Sequence, residues 1–230
     1  MMFTPLPVQM PPLDLAVFIG RFQPLHSGHI PAFQQGLERA PFLLAIVGSA
    51  FASRSRHNPF TWEERAALLV ETLGADDRLS VQPLADSSGH VPDWVRGVRA
   101  LVTNEWGRRR VAQSALPEQP RVGLLGYAKD ASSYYLSLFP EWTFLSVPPR
   151  RFLSATDIRE QIWGRPDQSL FEAKISARRF LESEDAQADL PPATRRFLLE
   201  FLGTPDYATL TRAAGRATIP PSAPVRPAHP

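Results

Sequence analysis

Asp14-Leu15-Ala16-Val17-Phe18-Ile19-Gly20 runs without a break into Arg21-Phe22-Gln23-Pro24-Leu25-His26-Ser27-Gly28-His29. Five consecutive apolar residues closed by a glycine read as a short strand buried on both faces. The polar segment after it is a loop, and Gly28 to Arg39 then carries helical spacing at Ile30, Phe33 and Leu37. Gly20 ends the strand, and Gly28 lets the backbone pass close to a ligand. His29 falls at the helix start, where free N–H groups and the helix dipole favour an anion. Two histidines three residues apart can address one phosphate. As imidazolium, or as N–H donors, they would stabilise charge growing on a five-coordinate phosphorus. An ordinary pKa of about 6.5 lets a nearby phosphate hold them protonated near neutrality. Taken alone, such a pair is as readily a surface feature or a metal site, and the latter predicts zinc retained on purification.

Outward from this segment, strands and helices alternate. Phe42 to Val47 is a second buried strand, Leu79 to Leu84 a third, Val122 to Leu125 a fourth and Trp142 to Val147 a fifth. Between them, Thr61-Trp62-Glu63-Glu64 is a capping-box pattern that opens a helix through Ala66, Leu68, Leu69 and Leu73. Pro92 to Val102 is a helix with proline in its first turn, and Ala131 to Leu138 is another. The order predicts a Rossmann-like, doubly wound parallel sheet of five strands, helices on both faces, with ligands beyond the carboxyl ends of the strands. From Thr156 onward only helices are expected, at Ile158 to Trp163, Ser169 to Leu181 and Thr194 to Leu202. The expected organisation is a flexible segment 1–12, an α/β domain 13–165, a helical extension 166–205 packed on it, and a flexible proline-rich tail 206–230.

Bulk properties exclude several classes. At 230 residues, 43% apolar and 21% charged, the chain has the make-up of an ordinary globular protein. The longest apolar run, Pro41 to Ala52, is broken by Gly48 and Ser49 and is shorter than the roughly 20 residues a membrane helix needs. Met1 to Pro12 holds four prolines and no charge, which is not a secretory signal. With no cysteine there is no disulfide framework and no thiolate site, which fits a cytoplasmic setting. A net charge of +2 gives no case for nucleic acid. Lys129 and Lys174 are the only lysines, so the positive charge is nearly all arginine. A genome rich in G and C explains that usage, yet arginine also grips phosphate through two parallel bonds.

The motifs resemble one family in particular. Gly20 to His29 is similar to the HxGH motif of the nucleotidyltransferase superfamily, in the GRFQPxHxGH form of its nicotinamide-nucleotide adenylyltransferase branch. Asn58-Pro59-Phe60-Thr61 with Glu64-Arg65 resembles that branch's NPF...ER segment. The stretch Gly126 to Leu136, with Phe139-Pro140-Glu141-Trp142, resembles bifunctional members fused to a Nudix hydrolase. Ser154-Ala155-Thr156-Asp157-Ile158-Arg159 looks like the second superfamily motif, ISSTxIR. Physically, Ser154 or Thr156 can cap the helix that follows, and Arg159 one turn inside can reach a phosphate.

The resemblance implies AMP transfer from ATP to nicotinamide mononucleotide, giving NAD and pyrophosphate. It makes His26, His29 and Arg159 the catalytic residues. It places Gly20, Arg21, Phe22, Gly28, Lys129, Ser154 and Thr156 on ATP and its phosphates, with Ser154, Thr156 and Arg159 on the β- and γ-phosphates. For the mononucleotide it points to Trp94 stacking on nicotinamide and to Arg54 or Arg56 on phosphate. Asp86 suits a ribose or carboxamide hydrogen bond, and Asn58 lies in the same region. Each has an ordinary alternative: core packing for Trp94, a turn for Asp86 and Asn58, an exposed surface for Lys129. The run Arg108 to Arg110 reads as solvated surface. Related bifunctional proteins often carry histidine where Tyr127 stands. No Nudix metal box is visible, so ADP-ribose hydrolysis is not expected. Mg²⁺ is expected, held by substrate phosphates rather than by a protein cage. The implied partners are the two small substrates, with no nucleic acid and no membrane. The sequence does not fix the oligomeric state, and a homo-oligomer is compatible with it. Nor does it fix the preference between nicotinamide and nicotinic acid forms. Competing readings are another adenylyl- or cytidylyltransferase, such as one acting on phosphopantetheine, and a non-catalytic NAD or nucleotide sensor. A P-loop kinase is disfavoured by the lack of a GxxxxGK[ST] run.

Overall fold

Alternation along the first strand assigns its side chains to two cores. β1 (Leu15–Gly20) sends Ala16 and Phe18 to one face of the sheet and Leu15, Val17 and Ile19 to the other. In the computed structural model, which describes residues 12–74, 76–87, 89–127, 136–148, 154–165 and 167–212, β1 is the central strand. It pairs in parallel with β2 (Phe42–Val47) and with β4 (Val122–Gly126); β3 (Leu79–Pro83) flanks β2, and β5 (Thr143–Ser146) flanks β4. The resulting order β3-β2-β1-β4-β5 places the reversal of winding between β1 and β4, where a doubly wound sheet opens its crevice.

α1 (Ile30–Arg39) and α2 (Trp62–Leu73) cover one face through Ala32, Phe33 and Leu69; α3 (Val91–Ala112) covers the other through Val95, Val98, Val102 and Trp106. Gly36 decides how close α1 can lie. A methyl group there would stand 2.5 Å from a Leu43 methyl and 2.8 Å from one of Leu125, so any larger residue would force the helix off the sheet.

A third core lies at one end of this sandwich. α4 (Ala155–Trp163), α5 (Leu170–Glu182), α6 (Glu184–Asp189), α7 (Pro192–Phe201) and α8 (Pro205–Arg212) gather around Ile158, Ile162, Trp163, Leu181, Leu198 and Phe201, and Phe60 of the segment before α2 inserts among them. Ser154 and Ser169 cap α4 and α5 with full capping boxes, as Thr61 does for α2. Among the described residues no helix is long and apolar enough to cross a membrane.

The fold departs from the sequence reading in four places. α3 continues ten residues past Val102, because Glu105 and Arg109 are buried on the helix and Trp106 packs in the core. The run Arg108 to Arg110 is therefore not simply solvated: Arg109 is buried against Glu105 and over the Phe42 ring. α4, expected to close the α/β domain, packs instead with the helical extension. The flexible tail does not begin at 206, since Tyr207 and Leu210 of α8 are buried and the Tyr207 hydroxyl donates to the Ile162 carbonyl at 2.9 Å. Of the helix expected over Ala131 to Leu138, residues 131–135 lie outside the described residues and 136–138 form a single tight turn. The segment 1–11, residues 213–230 and Lys129 also lie outside the described residues.

Candidate active site

The turn after β1 is held from several directions. Gln23 reaches across to Phe60, its amide donating to the Phe60 carbonyl and accepting the Phe60 N–H, both at 3.0 Å. Arg159, 6% exposed on α4, donates to the Gln23 carbonyl at 2.7 Å and to the Thr156 hydroxyl at 3.1 Å. Ser27 donates its N–H to Asp189 and its hydroxyl to Ala188, at the end of α6. The Tyr127 hydroxyl donates to the Gly28 carbonyl. The first motif, the NPF segment, the end of β4 and the second motif thus meet at one turn.

Inside that turn the histidines are locked by the backbone. Gly28 N–H donates to His26 Nδ1 at 3.1 Å, and His26 N–H donates to His29 Nδ1 at 3.2 Å. Both Nδ1 atoms are therefore acceptors, and the proton of each neutral ring sits on Nε2. A neutral ring in this arrangement presents Nε2–H, the N–H donor form that is one of the two expected from the sequence. The ring centroids stand 3.9 Å apart, near enough to serve one phosphate group. Phe22 supports His29 edge-on at 5.0 Å.

Around the turn lies a concentration of positive charge. Arg21 donates to His57 Nε2, so the His57 ring is an acceptor there as well. Burial, then the charges of Arg21 and Arg159, hold His57 below its ordinary value. Burial lowers Arg159, helped by Arg21. Burial also lowers Arg21, with Asp86 opposing. Burial is the first cause in each case, and the part that the Arg21 charge adds at His57 and Arg159 is the part an incoming anion would relieve. Asp86 also accepts from the Ser49 hydroxyl at 3.1 Å.

The site residues named from the sequence separate clearly. His26, His29, Arg21, Gly28, Thr156 and Arg159 come together, with Ser154 as the N-cap of α4. At Gly20 a methyl group would lie 2.6 Å from the Phe22 ring, which fills that space. The Phe22 side chain is 1% exposed in the core and cannot touch ATP. Arg54 is likewise removed from the phosphate contacts. Its guanidinium takes both Glu64 oxygens at 2.8 Å, the Pro59 carbonyl at 2.6 Å and Asp206 at 3.0 Å, which raises its pKa. Of the pair left open, Arg56 remains; it lies over the Trp163 ring, with burial as the main cause of its lowered pKa. Trp94 is half-buried against Phe139. Asn58 closes a small turn with Ser55, and its Oδ1 is buried without a hydrogen-bond partner among the described residues.

Sequence reasoning missed His57, Ser27, Gln23 and the role of Arg65. Gln23 and Ser27 lay inside the first motif and Arg65 inside the NPF...ER segment, where it is also an arginine on the apolar stripe of α2 one turn before Leu68 and Leu69; His57 left no signal.

Comparison with known proteins bears on the same residues. The cytidylyltransferase-like family pattern matches residues 17–161. The chain is 32% identical over 200 residues to the nicotinamide/nicotinic acid mononucleotide adenylyltransferase of Acinetobacter baylyi, covering 86% of this chain and 91% of that protein. A bifunctional NMN adenylyltransferase/ADP ribose pyrophosphatase from Francisella tularensis superimposes with TM-score 0.66 and 26% identity, over 86% of this chain and 52% of that one. A second structure from that organism, in complex with AMP and a Mn ion, superimposes with the same TM-score at 25% identity and the same coverage. The chain thus spans about half the length of these bifunctional proteins.

Proposed function

The chain belongs to the cytidylyltransferase-like family and to its nicotinamide-nucleotide adenylyltransferase branch, and on that premise we propose that it transfers AMP from ATP to nicotinamide mononucleotide. A phosphate oxygen of the mononucleotide attacks the α-phosphorus of ATP, the bond from that phosphorus to the α–β bridging oxygen breaks, and pyrophosphate leaves with its electron pair. No covalent enzyme intermediate is needed, because positioning and charge stabilisation supply most of the catalysis in phosphoryl-type transfer.

The observation that carries this reading is the backbone-locked histidine pair beside the Arg21–His57–Arg159 cluster. Two Nε2–H donors, fixed before substrate arrives, serve the oxygens of the α-phosphorus as charge grows there, with no reorganisation at the moment of reaction. Arg159, Thr156 and the capped start of α4 suit the departing phosphates. Arg56, Trp94, Asp86 and Asn58 remain as mononucleotide contacts.

A divalent cation is compatible with this family, one of whose structures is complexed with AMP and a Mn ion. Among the described residues no three of His, Asp and Glu converge, and the groups beside Arg21 are cations opposed by Asp86. That donor set fits an ion carried on triphosphate oxygens and water, which is how Mg²⁺ is commonly held. When bound, the ion neutralises charge across the triphosphate. On this reading the partners are the two small substrates and the setting is the cytoplasm.

The direct test incubates the protein with ATP, Mg²⁺ and each mononucleotide in turn and measures dinucleotide and pyrophosphate in equal amounts. Product with either mononucleotide supports the reading and ranks the two. No dinucleotide with either, or adenylylation of phosphopantetheine instead, overturns it.

A further inference from the structure

Arg65 is 1% exposed, and no carboxylate touches it among the described residues. A guanidinium in a core has to fill its five donors. Carbonyls alone fill four of them here. Nε donates to Thr61 at 3.0 Å, Nη1 to Arg21 at 2.7 Å and Gly48 at 2.8 Å, and Nη2 to Ser49 at 3.1 Å.

Three of those carbonyls belong to the turns that leave β1 and β2. Each turn contains a non-glycine residue in the left-handed region, Phe22 and Ser49, both with φ of 49°, and among the described residues there are no others. Such a backbone persists only where its surroundings enforce it. The two carbonyls taken by Nη1 belong to the peptide planes that directly precede Phe22 and Ser49. In a trans peptide the C=O and N–H point opposite ways. Drawing both carbonyls down to Arg65 therefore turns both N–H groups away from it.

We propose that Arg65 is a positioning residue for the transfer: it fixes the two turns that carry Arg21 and Ser49, and places a charge with no carboxylate in contact beneath the anion-binding cluster. The role rests on the transferase reading above. Burial, then the nearby Arg21 charge, push Arg65 down to about 10 against the opposing pull of Asp86, Glu63 and Glu64, so it stays charged throughout the neutral range. Ser49 extends its influence to Asp86 through the hydroxyl contact.

A residue that only holds the fold together would affect every activity alike; one acting through Arg21 loses its effect when Arg21 is gone. The test is a double-mutant cycle on the full chain with Arg65→Lys, Arg21→Ala and the pair, read as kcat, as KM for ATP and mononucleotide, and as melting temperature. Lysine keeps the charge but cannot span four carbonyls, so kcat/KM should fall about ten-fold or more with melting within a few degrees of wild type. In the Arg21→Ala background the same change should cost less than about three-fold, which is coupling. Equal losses in both backgrounds, or Arg65→Lys within about two-fold of wild type, overturn the proposal. If neither Arg65→Lys nor Arg65→Gln yields folded protein, Arg65 is a structural cation and the proposal falls as well. A wild-type protein that makes no dinucleotide would instead remove the transferase reading, a result distinguishable from an additive cycle in an active enzyme.

Discussion

Arg109 and Arg65 lie at opposite ends of the same sheet, both almost fully buried, and their charges are treated differently. Arg109 donates to Glu105 at 2.7 Å, to the Ser80 hydroxyl at 3.1 Å and to the Asp77 carbonyl, and lies 4.4 Å from the centre of the Phe42 ring. Burial pushes the Glu105 carboxyl up, but its bonds from Arg108, Ser80 and Arg109 outweigh that and leave it below its ordinary value. At that end, where the strands begin, the buried arginine has a carboxylate in direct contact. Arg65, where β1 and β2 end, has only carbonyls in contact; the Arg21 charge adds to burial there, and Asp86, Glu63 and Glu64 oppose it without touching it. Charge is neutralised by contact at one end and only at longer range at the other, the end proposed to receive the anion.

The sharpest way to break this contrast is His29→Ala. Turnover should fall about 10²–10³-fold, as expected when one fixed donor at a developing charge is lost. Melting should move by only a few degrees, and a normal kcat would remove the histidine pair from the chemistry. Glu105→Gln should do the reverse. Leaving Arg109 and Arg108 beside a neutral amide should cost about 3 kcal/mol in urea unfolding, with kcat of the folded enzyme unchanged. A loss of kcat at constant stability would contradict the division between the two ends.

A smaller effect is expected at the second motif. Ser154→Ala removes the hydroxyl that accepts the Asp157 N–H at 3.2 Å and should cost about 1 kcal/mol of stability by denaturant titration. No change would mean that the cap is dispensable to α4. The smallest effect concerns pH. His57 is held below its ordinary value, so as pH falls the unfolded chain takes up that proton before the folded one does. The contribution of His57 is therefore complete above about 6.5 and is lost as pH drops through the folded value. Between pH 7 and pH 5 the wild type should lose about 1–2 °C more in melting temperature than His57→Gln does. Parallel curves would show that Arg21 and Arg159 do not act on this ring.

Much of this was legible in the sequence because it depends on local patterns. Leu15 to Ile19 and Phe42 to Val47 are short, fully apolar and bounded, so they read as buried strands, and the capping box at Thr61 marked a helix start to the residue; at the second motif the cap was open between Ser154 and Thr156, and α4 begins three residues before the expected Ile158. The histidine turn stood out as a candidate for the same reason, since its residues are contiguous. What was hidden depends on distant partners. Arg54 looks like a phosphate ligand until Glu64 and Asp206 close on it. The second half of α3 reads as a polar stretch because its buried residues include Glu105 and Arg109, whose burial makes sense only as a pair. α6 and α8 are too short to carry a periodic signal, and they fold because Ala186, Tyr207 and Leu210 find a core made by other helices.

The clasp of Ser27 onto Ala188 and Asp189 joins parts of the chain more than 160 residues apart. On a ribosome the histidine turn is made early, while its latch emerges only after α5. The sheet can begin to assemble around β1 and β2 long before then, but the histidine turn stays unlatched until the α6 stretch has left the exit tunnel. Closure of that turn is thus a late event in the biosynthesis of this molecule, and a nascent chain stalled before residue 188 would carry both histidines without this fastening.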